Sequence, residues 1–186
     1  MILLTFYKEI DEISQDFNQE FGHLSTAQLN WKINPSTWSI AQNINHLIVI
    51  NQSYFSTVEQ LKNGSYRLPL HGRIPLVTSL FGKMILDAVS PDRRKKMKTF
   101  PIWEPQQSDF SNDIITSFLN HQETLKNTIK FCSILMKQKV AISSPANKCI
   151  VYKLETAFQI MISHEKRHLE QAREVKTRMF TSLADQ

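Results

Sequence analysis

The sequence predicts an all-α fold, a bundle of four long helices with a long crossover between the second and third, on three observations. Through four long stretches the apolar residues recur at steps of three and four, the pattern of helices that each bury one face. The chain has only 4 glycines in 186 residues, which argues against a turn-rich all-β protein. A long connection over residues 65–107, carrying Pro69, Pro75, Pro91, Pro101 and Pro105, separates the second stretch from the third and lets those two helices run parallel. At this length the chain is expected to be a single domain over residues 1–186.

In the first helix, Leu3, Phe6, Ile10, Ile13, Phe17, Phe21 and Leu24 form one apolar stripe, and Gly22 with Ser25 and Thr26 marks its fraying end. It carries no inward-facing titratable pair and reads as scaffold. Trp31, Pro35 and Trp38 occupy the connection that follows. Ser39 with Gln42 three residues later reads as a capping box that opens the second helix. That helix runs to about Lys62, where Asn63 and Gly64 supply a stop. Its apolar arc collects Ile40, Ile44, Leu47, Ile48, Ile50, Tyr54, Phe55, Val58 and Leu61. His46 falls on the flank of this arc, about 40° beyond Ile50 on a helical wheel, and so at the rim of the buried face.

Inside the long connection a short helix is expected from about Leu76 to Val89. Residues 100–105, apolar and stiffened by proline, are expected to drape along the bundle and wall one side of a site. The third helix should begin near Ser108, with Phe110, Ile114, Phe118, His121, Leu125, Ile129 and Cys132 on one face, so that His121 sits within an apolar stripe. After Pro145 the last helix should start near Lys148 and bury Val151, Leu154, Phe158, Met161, His168, Ala172, Val175 and Met179. His164 and Gln171 border that face and Glu165 falls within it. A buried carboxylate needs a positive group or a hydrogen-bond donor beside it, a need that a bound cation would meet.

Composition narrows the function classes. A 41% hydrophobic and 21% charged chain is ordinary for a globular protein and unlike a disordered or membrane one. The first apolar residues are followed at once by Lys8, Glu9, Asp11 and Glu12, unlike a signal peptide, and no run has the apolar length of a membrane span. A cytoplasmic location is expected, with Cys132 and Cys149 as free thiols. Much of the net charge of +5 comes from residues 93–98, Arg-Arg-Lys-Lys-Met-Lys, read as a solvated basic loop. No aromatic interleaving or recognition helix accompanies it, so neither nucleic acid nor membrane is expected as a partner. A small molecule and a second copy of the chain are.

The chemistry concentrates in His164-Glu-Lys-Arg-His168. On a helix this spacing puts both imidazoles on one side, one turn apart, near enough to bind one cation together. Imidazoles suit zinc, nickel, copper or iron, and a third ligand is needed; a site with three protein ligands leaves positions open for water or substrate, the catalytic arrangement. The pentapeptide also fits the HExxH pattern of zinc peptidases. Those enzymes usually take a further ligand from downstream, and residues 169–186 contain no histidine. The remaining ligand should therefore lie upstream, where His46 and His121 are on long helices, while His23 and His71 fall at a helix end and in a loop.

Trp38-Ser-Ile-Ala-Gln-Asn-Ile-Asn-His46-Leu47, taken with His164-x-x-x-His168-x-x-Gln171, resembles the DinB family of helical bundles, in order and spacing over nearly the whole chain. The resemblance implies an up-down-down-up four-helix bundle and a divalent metal, zinc or nickel first among the candidates, held by His46, His164 and His168. It also implies transfer or isomerisation reactions that use a low-molecular-weight thiol such as bacillithiol, mycothiol or glutathione. Among the neighbours, Glu165 reads as a base, an acceptor behind a ligand or a salt-bridge partner, and Gln171 as a group that orients bound water or caps the stripe. His121 reads as a core histidine, with ligation or substrate contact as the alternative. The leading function is thus a metal-dependent thiol S-transferase or hydrolase. The competing one is a non-catalytic, stress-related binding or dimerisation module with a structural metal or none.

Overall fold

The structure, a computed structural model, describes residues 2–92, 99–105 and 107–184; the basic run at 93–98 lies outside the described residues. The first helix, α1 (Ile2–Phe21), buries Phe6, Ile10, Ile13, Phe17 and Phe21, the stripe expected from its spacing. Beyond it the chain does not simply fray. Ser25 and Gln28 form a reciprocal capping box on a short helix, α2 (Thr26–Asn30). The box predicted at Ser39 and Gln42 is present in both directions and opens α3 (Ile40–Lys62). Gly64, at φ 71°, takes the left-handed conformation that ends this helix region without a side-chain clash.

Helix α4 (Pro75–Val89) has proline at its start, where the missing N–H costs nothing. The next long helix, α5 (Asp113–Phe131), starts later than Ser108. Asn30 explains the delay: its side-chain amide donates to the carbonyl of Phe110 at 2.7 Å and its oxygen accepts the Phe110 N–H at 2.9 Å, which ties the preceding segment to α2 as a connection. A short α6 (Ser133–Lys137) follows.

The largest departure from the expected fold is a hairpin. Strands β1 (Ala141–Ser144) and β2 (Asn147–Lys153) pair antiparallel, with Ile142 opposite Tyr152 and Ser143 opposite Val151. The last helix, α7, therefore runs Leu154–Ala184 and does not begin at Lys148. Val151 and Leu154 are three apart and continue a helical stripe in sequence. Yet Ile150, Val151 and Tyr152 are residues whose branched or aromatic side chains favour a pleated surface, and here the strand wins. The fold is mostly helical, with this one small sheet among the described residues.

Helix α1 packs on α5 and α7, and α3 packs on the same two helices, so the four long helices enclose one continuous core. Aromatic pairs fix its layers: Phe17 lies 4.6 Å from Phe118, and Phe6 lies 6.3 Å from Phe158, between ring centroids. Helix α4 crosses β2 and α7, where a Cβ on Gly82 would come within 3.0 Å of the Thr156 methyl group. Lys166 to Glu9, Arg173 to Asp16 and Lys176 to Glu20 join the outer side of α7 to α1. Such partly exposed pairs add little stability, and the buried face of Phe158, Met161, Ala172 and Val175 sets which side of α7 turns inward. None of the described helices is long and apolar enough to cross a membrane.

Candidate metal centre

His46 from α3 meets His164 and His168 from α7 in the interior. Ring centroids lie 5.2 Å apart for His46 and His164, 4.7 Å for His46 and His168, and 4.4 Å for the α7 pair. His46 is only 1% exposed, so it is not the rim residue that the helical wheel suggests. Two elements outside α3 cover it. The Trp38 ring sits 4.7 Å away, and the backbone of the 3-10 turn Pro101–Trp103 closes over the other side. The expected apolar strip does wall the site.

Hydrogen bonds fix which ring nitrogens face one another. The Trp103 carbonyl can only accept, so His46 Nδ1 donates to it at 2.7 Å and leaves the Nε2 lone pair free. Asn43 gives an amide hydrogen to the Ser39 carbonyl at 2.9 Å, which turns its oxygen toward His168; Nδ1 of that ring donates to it at 2.7 Å. Nε2 of His168 then stands 3.0 Å from Nε2 of His164. Burial keeps all three rings neutral: it pushes His46 down to about 4, and His164 and His168 well below the ordinary histidine value, with the neighbouring imidazoles and Arg167 adding to the shift in the α7 pair.

Neutral, oriented imidazoles are what a divalent first-row ion requires. One nitrogen from each of the three rings lies within 4.8 Å of those from the other two. An ion at about 2.1 Å from each nitrogen tolerates separations up to about 4 Å, so side-chain movement of about an ångström completes the set. The donor set fits a metal.

The cluster opens on a cavity of about 840 Å³ that Trp38, Trp103, Ile50 and Gln171 also line. Glu165 takes a different position. It is fully buried, and its carboxylate accepts from the Asn51 amide at 2.6 Å and from the Gln122 amide at 2.9 Å. Burial raises it to about 7 against the pull of these two donors. The partner that a buried carboxylate needs is thus a pair of amides from α3 and α5, supplied without an ion. His121 stays outside the histidine cluster: it is buried, stacks on Phe55 at 5.5 Å, and burial lowers it to about 4. Its Nε2 has no partner among the described residues. His71 lies at the hairpin instead, where its Nε2 donates to the Cys149 carbonyl at 3.1 Å. Cys132, buried, and Cys149, exposed, are both free thiols.

Sequence reasoning gave no role to Asn43 and none to the Trp103 backbone. Asn43 carried a signal, a polar side chain one turn before His46 on the buried face of α3. A backbone carbonyl contributed by a distant loop carries none.

Residues 9–130 match the family model of the DinB superfamily. The match runs from within α1 to the last turn of α5, and takes in His46; His164 and His168 lie beyond it and stand on geometry alone. No curated protein and no solved structure matches the chain.

Proposed function

The chain belongs to the DinB superfamily, and from that footing we propose that it is a divalent-metal-dependent enzyme whose ion, zinc or nickel, is held by His46, His164 and His168. The reaction is transfer of a low-molecular-weight thiol to a small electrophile, or hydrolysis of a small molecule, in the cavity beside those rings. The carrying observation is the pair of Nε2 atoms 3.0 Å apart on His164 and His168, with His46 packed against both and the Nδ1 protons of His46 and His168 already engaged elsewhere.

A bound divalent ion lowers the pKa of a thiol or water placed against it and so supplies a nucleophile near neutral pH. The chain's own residues do the rest. Asn43 and the Trp103 carbonyl hold two rings in the tautomer that keeps Nε2 unprotonated. Trp38, Trp103 and Ile50 give the cavity an apolar wall beside the rings. Gln171, one turn beyond His168, lines the cavity and is assigned to orienting the bound water or substrate. Glu165 is assigned to holding α7 in register from behind the ligands, since its carboxylate oxygens are engaged by Asn51 and Gln122.

An up-down-down-up course of the long helices belongs to the same reading, supported by the packing of α1 and of α3 on both α5 and α7. So do a cytoplasmic location and a homodimer. One observation favours the non-catalytic alternative, a binding or dimerisation module: Leu76, Leu80 and Met84 repeat at four-residue steps along α4 and are exposed. Elemental analysis of the purified protein, followed by conjugation assays pairing bacillithiol, mycothiol or glutathione with small electrophiles, separates the two readings. Near-equimolar metal with product formation supports the enzyme; absence of both leaves the module.

A further inference from the structure

The cavity has a second polar end that the metal reading does not use. Along α3, His46, Ile50 and Tyr54 follow at four-residue steps on one face, and all three line the cavity. Eight residues of helix span about 12 Å, so Tyr54 lies two turns away from the histidines. There the hairpin meets it: the hydroxyls of Tyr54 and Tyr152 are 2.6 Å apart, with Ser144 also lining this end. Tyr54 and Tyr152 are 4% and 1% exposed.

Two hydroxyls in contact use one proton between them. The Ser144 hydroxyl is hydrogen-bonded to both phenols, and three hydroxyls hold more protons and lone pairs than their mutual bonds use, so the group can donate to and accept from a ligand group. Both phenols stay neutral: burial raises Tyr54 well above the ordinary tyrosine value and Tyr152 to about 12. Among the described residues, the charges lining the cavity, Arg167, Glu170, Glu174 and Arg178, all come from the part of α7 beyond His164, whereas Ile50, Ile150 and Ile160 line it near the tyrosines in sequence. An ionised group at the tyrosine end would be buried without a counter-charge among the described residues, at a heavy desolvation cost.

We propose that Tyr54 and Tyr152 form a second subsite, which takes the uncharged hydroxyl or carbonyl end of an elongated, mostly apolar small molecule whose other end reaches the histidine cluster. The proposal deepens the metal-dependent reading and rests on it for the anchoring of the near end. The hairpin, absent from the helical pattern of the sequence, is then the element that sets ligand length and selects against a terminal carboxylate.

The test uses full-length zinc-loaded protein and length-matched probes, 8-mercaptooctan-1-ol, octane-1-thiol and 8-mercaptooctanoic acid, titrated calorimetrically into the wild type and into Tyr54→Phe and Tyr152→Phe. Each substitution removes one oxygen and keeps the ring, and zinc content and melting are measured alongside. Loss of one neutral hydrogen bond should weaken the mercapto-alcohol about 3- to 10-fold in either variant and leave octane-1-thiol unchanged. Equal weakening of both probes, no weakening of either, or tighter binding of the acid than of the alcohol overturns the subsite. If the wild type holds no zinc, the metal reading fails by itself. The subsite is then read with octan-1-ol on the metal-free protein, where the same loss in the variants sustains it and identical binding overturns it.

Discussion

The side-chain oxygen of Asn43 accepts the Nδ1 proton of His168 at 2.7 Å, which links the opening turn of α3 to the histidine cluster on α7. The bond sets the tautomer of a ring whose other nitrogen faces His164, so Asn43 governs ligand readiness without being a ligand. Replacing such a partner typically costs 10- to 100-fold in metal affinity. Asn43→Ala should therefore weaken zinc binding by about that factor in a chelator competition titration, and Asn43→Asp, which still accepts, should retain most of it.

Metal bound only by the native state must raise the melting temperature. At zinc about 100-fold above Kd the gain is about 2.7 kcal/mol, which for a chain of this size means roughly 5 to 10 °C. Chelation should reverse it in a calorimetric scan. A melting curve that ignores both zinc and chelator favours the non-catalytic module.

Glu165 stands between the Asn51 and Gln122 amides with no exposure of its own. Glu165→Ala leaves two buried amide donors without their acceptor and opens a cavity, so denaturant unfolding should show a loss of about 2 to 4 kcal/mol. Because the residue lies behind the ligands, zinc stoichiometry should survive at temperatures where the variant is folded.

Acid should destabilise the metal-free protein in part through His121. Its native value of about 4 lies below the unfolded value of 6.5. Between these limits the unfolded chain binds the extra proton, so stability is fully present above pH 6.5 and falls as pH drops toward 4. At pH 5 the effect of this one ring is about 2 kcal/mol. In His121→Leu the difference between unfolding free energies at pH 7 and pH 5 should shrink by about that amount.

The helices were legible where one face alone decides burial. The stripe of α1, the cap at Ser39 and Gln42, the stop at Gly64 and the turn-spaced pair His164 and His168 all follow from local rules. What could not be read there depends on chain segments far apart in sequence. His46 is buried by Trp38 and by the 3-10 turn Pro101–Trp103, Glu165 is satisfied by amides from two other helices, and Asn30 delays the start of α5. The hairpin was missed for a different reason. Val151, Leu154 and Phe158 keep helical spacing across a strand-to-helix junction, and only the run Ile150, Val151, Tyr152 after the turn residues Pro145 and Ala146 speaks for a strand.

The central claim is that imidazoles from α3 and α7 hold one ion between them. Elemental analysis of purified wild type, His46→Ala and His168→Ala, each checked for folding by circular dichroism, tests it directly. The wild type should carry about one zinc or nickel per chain, and either variant should lose nearly all of it, because two remaining histidines do not hold such an ion tightly. Full metal occupancy in folded His46→Ala would contradict the account.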